Sequence, residues 1–344
     1  MEISFKITNK CNLNCSYCYQ KNDKKSGVLT ETKIINALAE AKNIGGFDKL
    51  SIYGGEAFLY PDIIDFIIKN FIKINGYYNE IFIYTNGTLF SDKIKDILVK
   101  YKKMKVQISL DGNEFAHNAN RNGFSEIKEN VDLYRDCLII NNNKVIFHSV
   151  WTKSMYKYAF DSAVFFFEEL GCDKISPMLL PEKLSENESN VFFNNLCLIK
   201  EYCDKTGKKF VVKRYKGNSI CALGKIPTIT PDEVAPCHRF NFSFDKLKFS
   251  TLTEYMFSEH RKNLLSVTYF HTYRVECLSC KYTSFCYVCP LEQLYQKGSF
   301  ARDLKCDVAR ILYEVFDKNE AGNVVKAKVF HPHQSFSASD SVCI

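Results

Sequence analysis

The 344-residue chain contains a single tryptophan, eight prolines and fifteen glycines. So little proline and glycine excludes a collagen-like or proline-rich fibre. No stretch approaches the ~20 consecutive apolar residues that a membrane helix needs. Met1 to Asn9 alternates polar and apolar side chains, where a signal peptide would carry an unbroken apolar core. Charge of one sign is scarce as well. The formal net charge is +7, and the lysines and arginines are scattered, without the basic stripe of a nucleic-acid-binding protein. Apolar residues at 46% and charged residues at 25% describe an ordinary globular composition. These absences lead to the expectation of a cytoplasmic protein with neither a membrane nor a nucleic acid as partner.

Cysteine is the residue in excess, with fifteen copies. A long chain with an odd count and no secretory signal argues for reduced thiols rather than a disulfide framework. Cys137, Cys172, Cys197 and Cys203 sit in periodic apolar surroundings and read as core side chains. The others cluster. Cys11, Cys15 and Cys18 are separated by three and then two residues, so one tight loop can aim three thiolates at one point. A closed zinc site takes four ligands, and the nearest histidine in sequence is His117. Three thiolates suit a four-iron cluster with one iron left open. At this level zinc remains an alternative.

The hydrophobic pattern alternates strands and helices. Strands are expected at Ile3 to Ile7, Leu50 to Tyr53, Ile81 to Tyr84, Lys105 to Leu110, Val145 to Trp151 and Lys174 to Leu179. Helices are expected from the Thr30 cap to Lys42, Pro61 to Ile74, Ser91 to Tyr101, Ser125 to Cys137, Tyr158 to Leu170 and Asn190 to Lys205. Such alternation predicts a parallel sheet, open or curled into part of a barrel, with ligands at the carboxyl ends of its strands. Four unusual segments fall at strand ends: the cysteine loop, Gly54-Gly55-Glu56, Thr85-Asn86-Gly87 and Ser109-Leu110-Asp111-Gly112. Each alone is a common turn. Their shared placement points to one site.

With Tyr17 before the third cysteine, these segments resemble the radical S-adenosylmethionine (radical SAM) enzymes. The resemblance implies an α/β fold, a partial (β/α)6 barrel over residues 1–208. It implies a 4Fe-4S cluster on Cys11, Cys15 and Cys18 whose open iron chelates the amino and carboxylate groups of S-adenosylmethionine. Gly54, Gly55 and Glu56 would contact the methionine amino group, with Ala57 where the family carries proline. Ser109 would contact the ribose or carboxylate, and Arg121 would bind the carboxylate. Tyr17 would lie near the adenine, and Leu180 would line its pocket.

Beyond about residue 209 the alternation stops and cysteines become dense. Cys221, Cys237, Cys277, Cys280, Cys286, Cys289 and Cys306 resemble the seven-cysteine SPASM extension over residues 209–318, which carries two auxiliary iron–sulfur clusters. The family pattern assigns Cys277, Cys280, Cys286 and Cys306 to an outer cluster and Cys221, Cys237 and Cys289 to an inner one. Two residues separate Cys286 from Cys289, where the family usually has three, and Asp232 occupies a position usually held by glycine. The total becomes three 4Fe-4S clusters. Two Cys-x-x-Cys pairs taken alone would suit zinc.

Enzymes with this domain pairing mostly act on peptides or proteins. The expected activity is therefore reductive cleavage of S-adenosylmethionine and hydrogen abstraction from a peptide substrate, giving a crosslink, epimerisation or oxidation in the maturation of a ribosomally made peptide. An anaerobic sulfatase-maturing (formylglycine-generating) enzyme is an alternative, and a zinc-stabilised binding protein is an alternative of another class. Expected partners are the peptide or protein substrate and an electron donor such as flavodoxin or ferredoxin. Because the cysteine strand begins at the second residue, a leader-peptide-binding domain is expected as a separate protein or not at all. Residues 319–344 read as a polar, serine-rich tail. Its Cys343 is a frayed terminal thiol on one reading and a hydrogen-atom donor on the other.

Overall fold

The computed structural model describes residues 1–20, 27–212, 224–237, 249–266, 277, 279–286 and 306–317. Cys221, Cys289, Cys343 and the whole of the 319–344 tail lie outside the described residues. The chain divides into two units, each drawn from separated segments. One comprises Met1–Leu110, Arg121–Phe147 and Cys221–Ser266, the other Asp111–Asn120, His148–Ile220 and Val267–Ile344.

The first unit holds the main sheet. Its strands are β1 (Glu2–Lys6), β2 (Lys49–Tyr53), β3 (Glu80–Thr85), β4 (Met104–Ser109), β5 (Lys144–His148, whose last residue falls in the other unit), β10 (Thr228–Ile229) and β11 (Val234–Ala235). The order is β11-β10-β1-β2-β3-β4-β5. β10 to β1, β1 to β2, β2 to β3 and β3 to β4 pair in parallel, and β11 is antiparallel to β10. Helices α1 (Glu31–Asn43), α2 (Pro61–Asn75), α3 (Asp92–Lys100) and α5 (Phe124–Ile139) connect these strands. Their starts are local chemistry. Thr30 accepts from the Lys33 N–H and Ser91 from the Ile94 N–H, satisfying backbone donors that have no helical partner. Pro61 occupies the first turn of α2, where its missing N–H costs nothing. Gly76, with φ of 72°, ends that helix.

Strand register decides the two faces of this sheet. Ile3, Phe5, Ile52, Ile81, Ile83, Val106 and Ile108 have no exposed surface and form the apolar face, on which α2 packs against β2. Each such side chain contributes about 1.5–3 kcal/mol by burial. The alternate positions, Ser4, Lys6, Ser51, Tyr53, Tyr84, Gln107 and Ser109, share the other face. That face is polar yet largely covered.

The second unit holds α4 (Glu114–Asn118), β6 (Val150–Trp151), α6 (Ala159–Val164), β7 (Lys174–Ile175), β8 (Met178–Leu179), α7 (Glu186–Thr206), β9 (Lys209–Phe210) and α10 (Asp307–Phe316). β6 pairs with β8 and β7 with β9, both parallel. The expected fifth strand is interrupted at Ser149. There the Ser149 hydroxyl and the Trp151 indole N–H donate to the Asp111 carbonyl, at 2.8 and 2.9 Å, and the Val150 N–H donates to Asp111 Oδ1 at 2.9 Å. The expected sixth strand breaks at Ser176-Pro177, where proline lacks a ladder donor. The expected 158–170 helix is a 3-10 turn over Lys153–Tyr158, then α6, then a π turn over Phe165–Glu169. Helix α7 starts four residues before its expected first residue, on a capping box made by Ser185 and Glu188. Helices α8 (Leu252–Phe257) and α9 (Glu259–Leu265) belong to the first unit. Among the described residues, no helix is long and apolar enough to cross a membrane.

Candidate functional site

Residues 7–18 leave β1 and pass the end of β2 in close backbone contact. The Ile7 N–H donates to the Tyr53 carbonyl at 2.8 Å, Gly55 N–H to the Thr8 carbonyl at 2.8 Å and Glu56 N–H to the Lys10 carbonyl at 2.9 Å. The approach at Gly55 admits no side chain: a Cβ there would stand 2.2 Å from the Lys10 carbonyl oxygen. Gly54 is nearly as tight, 3.0 Å from the Thr8 carbonyl oxygen. The Gln20 amide donates to the Gly54 carbonyl at 3.1 Å. The two glycines therefore clamp the cysteine loop to the sheet.

Glu56 is 1% exposed. Its Oε1 accepts from the Phe58 N–H at 2.9 Å and the Thr85 hydroxyl at 2.7 Å, and its Oε2 accepts from the Asn86 N–H at 2.6 Å. The carboxyl thus ties the end of β2 to the end of β3. Burial raises its pKa, and those three donors together with Arg121 draw it back.

The three N-terminal cysteines differ in setting. Cys11 is exposed, Cys15 buried and Cys18 half-buried. Cys11 Sγ accepts from the Leu13 N–H at 3.4 Å and faces the Asn86 amide nitrogen at 3.8 Å. Although the residue as a whole is exposed, the cover around its sulfur pushes the Cys11 thiol up, while these donors lower it. Cys15 Sγ faces Arg121 Nη1 at 3.9 Å, and Arg121 Nε donates to the Tyr17 hydroxyl at 2.5 Å. The Arg121 guanidinium also lies over the Tyr17 ring, 5.1 Å from its centroid. Tyr17 and Arg121 thus form one unit beside Cys15.

Ser109 ends β4, half-buried on the polar face. Leu180 lies in the second unit, where its N–H donates to the Trp151 carbonyl and its carbonyl accepts from the Tyr156 hydroxyl, both at 3.0 Å.

Of the further cysteines, Cys237 lies in the first unit, close enough to Tyr53 and Tyr255 to bear on their phenols. Cys277, Cys280, Cys286 and Cys306 lie in the second unit. Cys277, Cys280 and Thr283 form successive turns: the Cys280 N–H donates to the Cys277 carbonyl at 3.2 Å and the Thr283 N–H to the Cys280 carbonyl at 3.1 Å. Cys306 stands at the start of α10 near Cys277 and Cys280; burial raises its thiol and Arg310 lowers it. Cys137 is buried, whereas Cys172, Cys197 and Cys203 are half-buried, and burial pushes the Cys197 thiol up to about 11.

Among the described residues, no three His, Cys, Asp or Glu side chains converge as ligands of one ion. The donor set of the 11–18 loop nevertheless fits an iron–sulfur group. It offers three thiols, and N–H donors already face two of the sulfurs, as a sulfur-rich anion requires.

The sequence singled out the Thr85-Asn86-Gly87 segment, but nothing local signals the contact of Asn86 with Cys11. Lys6, 2% exposed on the polar face of β1, was signalled by the polar–apolar alternation of the first nine residues.

Residues 5–150 match the sequence profile of the Radical SAM superfamily. The chain is 28% identical over 198 residues to the radical SAM cyclopropyl synthase TigE of Paramaledivibacter caminithermalis, covering 52% of this chain and 41% of that one. It is 38% identical over 112 residues to the GTP 3',8-cyclase of Clostridium perfringens, covering 30% and 32%. The chain thus spans less than half the length of these curated relatives. It shares its fold with anSMEcpe, solved with bound AdoMet and a Cp18Cys peptide, at a TM-score of 0.69 and 17% identity over 91% of this chain and 96% of that one.

Proposed function

Because the chain carries a radical SAM domain over residues 5–150 and is an enzyme of that superfamily, we propose that it cleaves S-adenosylmethionine reductively and modifies a peptide by hydrogen abstraction. The observation that carries this reading is the loop of Cys11, Cys15 and Cys18 clamped at the strand ends by Gly54 and Gly55. A four-iron cluster on those thiols would supply the electron that splits the sulfonium carbon–sulfur bond into methionine and a 5′-deoxyadenosyl radical.

The chain's own residues prepare the site. Arg121, fixed by Tyr17, brings a permanent positive charge beside Cys15, where it offsets a thiolate and stands ready for the methionine carboxylate. Glu56 spends its carboxyl on Phe58, Thr85 and Asn86, so it shapes the loop that presents the Gly54 carbonyl. The polar face of the sheet, with Lys6, Tyr53, Tyr84 and Gln107, offers hydrogen-bonding groups to a polar main chain. In this reading Ser109 contacts the ribose or the carboxylate of S-adenosylmethionine.

The peptide class is supported by the 28% identity over 144 residues to AlbA of Bacillus subtilis, a biosynthesis protein of the antilisterial bacteriocin subtilosin, and by the peptide bound to anSMEcpe. The likeness to the GTP cyclase covers 30% of this chain and supports the domain alone. Cys277, Cys280, Cys286 and Cys306 would hold an outer auxiliary cluster, and Cys237 with Cys221 and Cys289 an inner one, for a total of three. The auxiliary clusters would take up the electron of the product radical, and a flavodoxin or ferredoxin would supply the electron that reduces the N-terminal cluster, in a reducing cytoplasm.

The test is incubation of the anaerobically reconstituted chain with S-adenosylmethionine, dithionite and candidate peptides encoded beside its gene. A mass change in a peptide that depends on Cys11 supports the proposal. Modification of a nucleotide, with every peptide left unchanged, overturns it.

A further inference from the structure

The cysteine loop is joined to the end of β3 by a closed ring of three side chains. Asn86 Nδ2 donates to Asn12 Oδ1, Asn12 Nδ2 donates to Thr88 Oγ1, and the Thr88 hydroxyl donates to Asn86 Oδ1, each at 2.8 Å. The Thr88 backbone N–H adds a second bond to Asn86 Oδ1, at 3.0 Å. A backbone N–H can only donate. It therefore fixes the Asn86 oxygen toward Thr88 and the nitrogen toward the loop. The nitrogen carries two hydrogens: one serves Asn12, and the other is directed at Cys11 Sγ, 3.8 Å away. Asn86 is 6% exposed, and its own N–H is held by Glu56 Oε2. The amide cannot turn without setting its nitrogen against the Thr88 N–H and breaking its bond to Asn12.

We propose that Asn86 is a positioning residue for the cluster centre, fixing Cys11 and donating to its sulfur, so that a cluster held there has a higher reduction potential than the three thiolates alone would give it. This rests on the radical SAM reading of the loop. Reduction adds negative charge that spreads over the sulfurs, and an N–H aimed at a sulfur stabilises the reduced form more than the oxidised one. Arg121 acts on Cys15 with a full charge; Asn86 acts on Cys11 with an uncharged amide whose orientation the ring enforces.

Two variants separate this role from a merely structural one. Asn86→Asp keeps the shape and the acceptor for Thr88 but turns an oxygen toward Asn12 Oδ1 and Cys11 Sγ. Thr88→Val removes the hydroxyl bonds to Asn86 Oδ1 and from Asn12 Nδ2, leaving the Thr88 backbone N–H as the remaining Thr88 bond to Asn86 Oδ1, so the amide is held less tightly. The full chain is purified anaerobically, and its iron and sulfide are measured. The potential of the N-terminal cluster, identified as the signal lost in a Cys11/Cys15/Cys18→Ala variant, is then titrated by electron paramagnetic resonance. Asn86→Asp is expected to lower the reduced-to-oxidised ratio at fixed poise roughly tenfold, equivalent to about 59 mV for one electron, with a smaller fall in the same direction for Thr88→Val. A parent-level cluster with an unchanged potential in Asn86→Asp overturns the proposal. If Asn86→Asp takes up no cluster, Thr88→Val decides: a lowered potential supports the proposal and an unchanged one overturns it. A parent chain that binds no cluster on this loop defeats the radical SAM reading itself, and this inference with it.

Discussion

Changing Glu56 to glutamine isolates what the buried carboxyl does. The variant keeps the side-chain shape and one acceptor oxygen, enough for the Phe58 N–H and the Thr85 hydroxyl. It turns the other oxygen into an amide NH2 facing the Asn86 N–H, which Oε2 now accepts at 2.6 Å. Two donors then oppose each other in a buried place, and the orphaned N–H should cost about 1–3 kcal/mol of stability. The carboxyl also gives the parent a pH dependence. Burial is the largest influence on Glu56 and raises its pKa, so the folded chain keeps the proton to higher pH than the unfolded one. Stability from this group is complete below the unfolded carboxylate pKa and is lost as pH rises through the raised value. Glutamine has no such proton, so over this window the variant's stability should fall less steeply with pH than the parent's. Urea unfolding of the ligand-free chain, followed by circular dichroism across acidic to neutral pH, measures both effects. A change below about 0.5 kcal/mol, with the parent's pH slope intact, would refute the claim that this carboxyl ties the two strand ends together.

Gly55→Ala places a Cβ 2.2 Å from the Lys10 carbonyl oxygen; the loop must shift, at about 1–3 kcal/mol, and iron uptake measured after reconstitution should fall with it. Arg121→Lys removes the donor that Tyr17 accepts from and the planar fork suited to a carboxylate, so S-adenosylmethionine should bind roughly tenfold more weakly by equilibrium dialysis. Ser185→Ala removes the capping box of α7 and should lower stability by about 0.5–2 kcal/mol without altering iron content, as a melting curve beside an iron assay would show.

Strands β1 to β4 and helices α1, α2, α3 and α5 of the first unit were legible in the sequence because their signals are local, whereas β10, β11, α8 and α9 were not anticipated. Thr30, Pro61 and Ser91 announce helix starts through chemistry within one turn, and the strands of the main sheet show their apolar faces by simple alternation. The break in the fifth strand was not legible, since its cause is Asp111, about forty positions earlier in the chain, accepting from Ser149, Val150 and Trp151. The same holds at the site. The cysteine spacing and the Gly-Gly-Glu segment could be read directly, and the structure places them together. Thr85-Asn86-Gly87 was singled out as well, but the contacts of Asn86 were not legible, because its ring with Asn12 and Thr88 exists only once β3 lies beside the loop. Arg121 was found by its motif, but its bond to Tyr17 spans 104 positions and leaves no trace in spacing.

The central claim is that Cys11, Cys15 and Cys18 support reductive cleavage of S-adenosylmethionine. The direct measurement is the yield of 5′-deoxyadenosine from the anaerobically reconstituted chain given dithionite and S-adenosylmethionine, beside the Cys11/Cys15/Cys18→Ala variant. The account predicts 5′-deoxyadenosine and methionine in equal amounts from the parent and neither from the variant. A parent that carries iron and sulfide yet yields no 5′-deoxyadenosine, or a variant that yields as much as the parent, would contradict it.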